Sequence, residues 1–579
     1  MASLHDPLPL PCGQTLPNRI MKSALSEGLG TADHAPDERL IRLYDRWGAG
    51  GFGLIVTGNV MIDRTQLGEP GNVAVTDERD LDALTRWAKT AKQGGTPVWM
   101  QVNHPGRQAN PLAARHRPVA PSAIAPGIPG MPTPRALTEP EIADLIKRFA
   151  ITARVAEAAG FDGVQIHAAH GYLLSQFLSP LSNRRTDDWG GDPARRMRFA
   201  LEVVRSIRRA VRPEFAVSIK LNSADFQRGG FSEAESQAVI DALSTEGLDM
   251  IEISGGSYES PAMMGGPRAA ASTRAREAYF LEYAESVRRT AAAVPLAVTG
   301  GFRSRSAMAA AVDSAACDVV GLGRPTTVQP TAAGDLLADR TDMLRPPVIS
   351  LGLHGPLARN GALKSLDGAL DLQWHTDQLH RLGAGLDPDP ARSPWLTAVT
   401  MLRRNGFDAL RPRRGATGGG RDRDARKFAI LLWANRHVMN PTVRGLDRIG
   451  IRTTFATELE TIGRKSGLPR RVPVTVRFDD TGAWLICQHG TSSGWGSNVA
   501  ANPHVRVRQG SRWRTGTAEL RPDDDLAARA RSFAPLRILA PLTAAGFAAL
   551  QTTPVSVRII FTDNGSLRTN RDDLDRSTA

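Results

Sequence analysis

The stretch Gly160–Gly191, GFDGVQIHAAHGYLLSQFLSPLSNRRTDDWGG, decides the fold. The apolar run Gly163–Ile166 delivers His167, His170 and Tyr172 to the end of a strand, and a charged loop then closes in Trp189-Gly190-Gly191. In a parallel α/β architecture that end of a strand is where ligands bind, because side chains there leave the packed core yet keep a rigid footing. Two imidazoles and a phenol converging there suggest donors aimed at a polar atom.

Working outward, short apolar runs alternate with helical patterns from Arg19 to Pro325. The expected strands are Ile20–Ser23, Gly53–Val60, Val98–Asn103, Gly163–Ile166, Ala216–Leu221, Met250–Ser254, Leu296–Thr299 and Val319–Gly323. Eight such units predict an α/β fold of the TIM (β/α)8 barrel type. Helix starts agree with this register: Thr138 with Glu141 and Ser232 with Glu235 read as capping boxes, and Asp192-Pro193 as a cap before a first-turn proline. The long loops, Pro105–Leu137 and Gly255–Ala275, follow strands, so the C-terminal rim is the expected active face.

The chemistry of the rim can be read from residue types. A carbonyl oxygen held by two imidazole donors is polarised, hydride can then add at the conjugated carbon, and a phenol can give the completing proton. That describes an ene-reductase. The alternatives are a metal site built on His167 and His170, or packed histidines that satisfy backbone groups. No cysteine lies nearby and no HExxH helix is present. Gly58 allows a close backbone approach. Gln101 offers an amide donor and acceptor suited to a pyrimidine edge, and also reads as a buried structural glutamine. Lys220 ends its strand with a cation that, without a partner anion, would be costly to bury. Thr299-Gly300-Gly301 and Gly321-Leu322-Gly323-Arg324 end successive strands; open N–H groups, a following helix start and Arg324 make a phosphate cradle.

With these motifs in view, about the first 400 residues resemble the old yellow enzyme family of flavin oxidoreductases. The resemblance implies FMN as cofactor, substrate oxygen binding by His167 and His170, and proton donation by Tyr172. It also implies that the backbone near Ser23, Ala24 and Leu25 lies against the isoalloxazine, with Ser26 where relatives carry a Cys or Thr facing the flavin carbonyl. A serine capping the next turn is the other reading of Ser26. Gln101 and Lys220 fall at the flavin's pyrimidine edge, Lys220 where many relatives have Arg. Gly300, Gly301, Gly323 and Arg324 fall at the phosphate. No second GxGxxG unit or cysteine cluster follows, unlike the longer dienoyl-CoA-reductase relatives.

The second half reads differently. Residues 330–410 carry helical segments and a turn-rich stretch, Gly385–Pro394, completing a first domain of residues 1–410. Residues 411–426, RPRRGATGGGRDRDAR, are a basic linker without apolar anchors. Alternation returns in Ala456–Ile462, Arg471–Phe478, Trp484–Gln488, Val505–Arg508, Trp513–Leu520 and Val555–Phe561. Short antiparallel strands predict a small, β-rich barrel over residues 427–579. TIGRKSGLPRRVPV, Gly494-Trp495-Gly496-Ser497-Asn498 and Ala501-Asn502-Pro503 resemble the deazaflavin-dependent nitroreductase family of split barrels. That resemblance implies coenzyme F-420, with Arg464, Lys465 and Ser466 at its anionic tail and Trp495 and Asn498 on the helix lining the pocket. No tyrosine follows Tyr283, so the tyrosines that several such relatives use for nitro substrates are missing.

Composition sets the frame. The 579 residues are 41% hydrophobic and 23% charged, enough for more than one packed core. Cys12, Cys317 and Cys487 are far apart, which argues against a disulfide scaffold or an iron–sulfur cluster. The start, MASLHDPLPLPCGQTLPNRI, has no leader pattern, and no run is apolar enough to span a membrane, so a cytoplasmic location is expected. The net charge of +13 is confined: residues 411–579 hold 28 Lys and Arg against 15 Asp and Glu, leaving 44 against 44 before them. An acidic small ligand suits that asymmetry, as does a merely solvated basic surface; no zinc finger, RNP motif or basic amphipathic helix points to nucleic acid or membrane.

The leading expectation is therefore a self-sufficient flavoenzyme in which reduced F-420 supplies FMN, which reduces an activated alkene or a quinone. The alternative is an NAD(P)H-driven ene-reductase with an accessory second domain. A non-catalytic flavin sensor is a third reading, opposed by the intact His167, His170 and Tyr172 set. Homo-oligomerisation is compatible with all three.

Overall fold

The computed structural model describes residues 2–255 apart from 112, 115 and 128–130; 280–350 apart from 292; 361–400 apart from 395, 398 and 399; and 457–562 apart from 465, 489, 510, 511 and 534–553. Contacts divide the chain into two compact units, Met1–Arg413 and Arg414–Ala579. The expected linker at 411–426 and most of the expected loop Gly255–Ala275 lie outside the described residues.

The first unit is a closed parallel barrel of eight strands: β1 Ile20–Lys22, β2 Leu54–Val56, β3 Val98–Asn103, β4 Gly163–Ala168, β5 Ala216–Asn222, β6 Met250–Ser254, β7 Leu296–Thr299 and β8 Val319–Leu322. Closure comes from β8 pairing with β1 and β2 with β3. All eight fall on the expected runs. The anticipated strand Gly53–Val60 is interrupted after Val56, with Val60–Met61 as a separate short strand. The cause is local: the Gly58 N–H is taken by the Glu27 carboxylate at 2.9 Å and the Tyr44 hydroxyl at 3.0 Å instead of a ladder partner.

Alternation along the strands sorts their side chains into an outer and an inner set. Outward residues such as Ile55, Val98, Val164, Ile166, Val217, Ile219, Ile251, Val298 and Val320 pack under the helices. Inward, the first layer is apolar: Met21, Leu54, Trp99, Ala216, Met250, Ala297 and Val319, closed below by Leu8, Leu10 and Leu16 of the N-terminal ribbon. The second layer is polar, holding Ser23, Gln101, Gln165, Ser218, Glu252 and Thr299, all of them buried except Thr299. Helix starts match expectation: Glu141 accepts from the Thr138 N–H at 2.8 Å, Glu235 from the Ser232 N–H at 2.9 Å, and Asp192 from the Arg195 N–H at 2.9 Å. The long loop after β3 is not without structure, since Val119–Ala120 and Arg135–Ala136 pair within it.

In the second unit, strands β9 Thr457–Ile462, β10 Pro469–Val474, β11 Val476–Asp479, β12 Gly482–Cys487, β13 His504–Gln509, β14 Arg512–Arg521 and β15 Val555–Phe561 form one antiparallel sheet, in the order β10-β9-β13-β14-β15-β12-β11. The expected single strand Arg471–Phe478 is two, broken at Thr475. On one side of Thr475 the chain pairs with β9, on the other with β12, so one continuous stretch supplies both edges and the sheet curls upon itself. Leu459, Leu485, Val505, Val507, Val557 and Ile559 fill its interior.

Candidate active site at the barrel rim

The third inward layer stands at the C-terminal mouth. Gln101 pairs in register with Gln165, and Lys220 with His167, so one step further along β3 the inward Asn103 comes level with His167. His167 is 4% exposed, and its Nδ1 accepts from the Ala169 N–H at 3.3 Å. That bond leaves the imidazole proton to Nε2, free to be donated. His170 and Gly171 follow at φ of 60° and 74°, a left-handed pair that folds the chain back over the strand end. The turn brings Tyr172 to 4.8 Å from His167 between ring centres, with His170 at 5.0 Å, both edge-on.

The turn is held from neighbouring strands. The His170 N–H donates to Asn222 Oδ1 at 3.2 Å, and its Nε2 lies 2.9 Å from Ser254 Oγ. The segment His104–Gln108 buttresses it from the other side: Gln108 Nε2 donates to the His170 carbonyl at 3.2 Å, and Gln176 links Gly171, Pro105 and Arg107. Burial drives both imidazoles well below their ordinary pKa, aided at His167 by His170 and at both by the Lys220 charge. They are therefore neutral donors at neutral pH, and among the described residues no His, Cys, Asp and Glu cluster able to hold a metal occurs.

Lys220 has its partner within the barrel. It is not a buried cation lacking an anion, because Glu252, fully buried, accepts from its Nζ at 2.8 Å. The other Glu252 oxygen accepts from Gln165 Nε2 at 2.7 Å, and Gln165 Oε1 from Gln101 Nε2 at 2.8 Å. Gln101, Gln165, Glu252 and Lys220 thus form one chain of polar contacts beneath the mouth. Gln165 and Glu252 escaped the sequence reading, although polar residues at every second position of apolar strands were the available signal.

The remaining expected residues distribute as follows. Ser23 Oγ is bonded to Thr299 Oγ1 at 2.8 Å, while Ala24, Leu25 and Ser26 are half-buried at the mouth. Ser26 caps no turn; its hydroxyl lies 2.9 Å from Asn59 Oδ1 and also meets the Glu69 carboxylate. A Cβ on Gly58 would collide with the Leu25 carbonyl and the Glu27 carboxylate, so glycine is already required by the chain's own packing. A cavity of about 230 Å³ is lined by Leu25, His170, Lys220 and Ser254 and extends past Gly300, Gly301, Gly323 and Arg324. Gly300 and Gly301 take φ of 138° and 90°, conformations suited to glycine. The helix after β8 is the single turn Pro325–Val328, which contributes little dipole, and Arg324 is paired with Asp371 at 2.9 Å.

This donor set fits a flavin mononucleotide: a cation and amides for a polar ring edge, glycines and an arginine for an anionic tail. Asn103 supports an absent polar partner at the mouth, as both its amide atoms are buried without a hydrogen-bond partner.

In the second unit, Gly463–Gly467 is the turn between β9 and β10. The Arg464 N–H donates to Asn498 Oδ1 at 3.2 Å and Asn498 Nδ2 to Thr461 Oγ1 at 3.1 Å, so the helix Gly494–Ala501 clamps the turn. Trp495 is on that helix, half-buried against the sheet core. Ser466 sits in the turn beside Gly463, and Lys465 lies outside the described residues.

The NADH:flavin oxidoreductase / NADH oxidase family matches residues 3–341, and the F-420H(2)-dependent quinone reductase family residues 439–541. An NADH-dependent flavin oxidoreductase of Hypocrea jecorina is 40% identical over 57% of this chain and 88% of its own. Another, from Talaromyces variabilis, is 37% identical over 66% of this chain and 98% of its own. Morphinone reductase in complex with tetrahydroNAD superposes with a TM-score of 0.50 at 25% identity, over 59% of this chain and 92% of that one.

Proposed function

The chain belongs to the NADH:flavin oxidoreductase / NADH oxidase family and is an FMN-dependent oxidoreductase, and from that premise we propose that its barrel reduces the activated C=C bond of an α,β-unsaturated carbonyl compound or a quinone. The observation that carries this reading is the convergence of His167, His170 and Tyr172 at one strand end, beside a cleft lined by His170, Lys220 and a glycine–arginine cradle.

When bound, FMN supplies the hydride. Lys220 and Gln101 would hold its pyrimidine edge, the backbone of Ser23, Ala24, Leu25 and Gly58 would bear on its ring with Ser26 alongside, and Gly300, Gly301, Gly323 and Arg324 would take its phosphate. His167 and His170, as neutral N–H donors, bind the substrate oxygen and stabilise the charge that gathers there as hydride adds at the β-carbon. Tyr172 gives its proton to the α-carbon, the electron pair returns from the oxygen, and the phenolate regains a proton from solvent.

For the electron donor, the names of the relatives favour NADH. A second reading rests on the match at residues 439–541: the split barrel would hold reduced F-420, with Arg464, Lys465 and Ser466 at its anionic tail and Trp495 and Asn498 beside it, and that coenzyme would be the hydride source for the flavin. In this reading residues 1–410 and 427–579 are domains joined by the linker 411–426. Stopped-flow bleaching of the flavin absorbance with NADH, NADPH and reduced F-420 separates the donors. Reduction by none of them, or a protein that binds no FMN, overturns the proposal.

A further inference from the structure

The helix Gly361–Gly383 contributes Asp371 and His375 to the lining of the rim cavity. Asp371 is nearly buried; Oδ2 accepts from Arg324 Nη1 at 2.9 Å, and Oδ1 accepts from the Ile349 N–H at 2.9 Å. A carboxylate is thus bonded to the arginine expected to meet a phosphate. One turn on, His375 is 3% exposed, with Nδ1 2.8 Å from Thr327 Oγ1. The Thr327 hydroxyl also donates to the Arg324 carbonyl at 2.9 Å, so His375 and Arg324 are tied through one residue. His375 Nε2 is buried without a hydrogen-bond partner, 3.9 Å from Asp371 Oδ1.

We propose that Asp371 and His375 form a proton-linked latch on the phosphate end of the FMN site: as the phosphate takes Arg324, His375 Nε2 binds one proton from solvent and pairs with the released Asp371 carboxylate. The latch rests on reading Gly300, Gly301, Gly323 and Arg324 as the phosphate cradle. The imidazole gains one N–H bond with a proton drawn from solvent, no bond between heavy atoms changes, and up to one proton leaves solvent for each FMN bound.

The charges around His375 set the direction. With Arg324 on Asp371 the imidazole is held down to about 4: burial lowers it most, Asp371 opposes that, Arg324 adds to the lowering, and the Pro347 carbonyl raises it slightly. Lys220, Arg303 and His170 line the same cavity as further positive or neutral groups. A phosphate dianion neutralises Arg324 and frees Asp371, and both changes raise the imidazole. FMN then binds more tightly at low pH, and affinity falls as pH rises through the pKa of the loaded form, by up to about tenfold per unit.

The test strips flavin from the full-length chain and titrates it with FMN and with riboflavin between pH 6.5 and 8.5. Flavin fluorescence gives affinity, and calorimetry in buffers of different ionisation heat gives proton uptake. Riboflavin, lacking the phosphate, is the internal control. The second ionisation of the phosphate, near pH 6, lies below this range. The latch predicts proton uptake with FMN but not riboflavin, abolished in His375→Gln. Asp371→Asn is expected to bind FMN at least as tightly as the parent at pH 8 and to lose the pH dependence. Equal uptake for both flavins, uptake unchanged in His375→Gln, or Asp371→Asn that weakens FMN equally at every pH overturns the latch alone. Failure of either flavin to bind overturns the cofactor reading with it.

Discussion

Replacing Glu252 by glutamine isolates the charge at the centre of the barrel. Glu252 is fully buried and Lys220 is 3% exposed, 2.8 Å away. Glutamine keeps the volume but removes the counter-charge, and breaking a buried pair from one side costs roughly 3–5 kcal/mol. The loss has a ceiling, because the stranded amine can shed its proton; from a reference pKa near 10.4 that costs about 5 kcal/mol at pH 7. It also has a pH signature. A lysine depressed in the folded state leaves the unfolded chain binding more protons, so stability rises with pH, and the deficit should shrink by about 1.4 kcal/mol per unit towards pH 10. Urea unfolding of the FMN-free protein at pH 7 and 9.5 measures both quantities, and the double variant Glu252→Gln/Lys220→Met should recover most of the loss. A deficit under about 1 kcal/mol at pH 7, or one that ignores pH, refutes the argument.

Other outcomes follow from the same residues. His104 and His375 are both held to about 4 by burial, and His167 and His170 lie well below the ordinary value. In the FMN-free protein each binds protons more readily unfolded, so stability present above pH 6.5 is lost as pH falls towards 4, by roughly 3 kcal/mol apiece for His104 and His375. An acid unfolding midpoint unmoved in His104→Gln would contradict this. In the second unit, Asn498→Ala removes the bonds to Arg464 and Thr461 and should cost about 1–3 kcal/mol. If the F-420 reading holds, the same change weakens binding of that coenzyme in a fluorescence titration, whereas unaltered affinity removes the turn from the site.

The sequence exposed most of the barrel because its strands alternate between two environments, each with its own vocabulary. Val164 and Ile166 face the helices while Gln165 and His167 face the axis, so a single run carries both the fold and the site. What could not be read was pairing between strands. Lys220 and Glu252 are 32 positions apart, and their contact depends on the register of β5 against β6. Arg324 and Asp371 meet only because the helix Gly361–Gly383 reaches the rim. The break at Thr475 was hidden too, since local alternation continues through it and only the change of partner strand marks it.

The account turns on Tyr172 as the proton donor poised beside His167. Tyr172→Phe should leave reduction of the flavin by its donor unchanged and slow the reoxidation of reduced flavin by cyclohexenone roughly 10²- to 10⁴-fold in stopped-flow absorbance. Equal slowing of both half-reactions, or reoxidation as fast as in the parent, would contradict it.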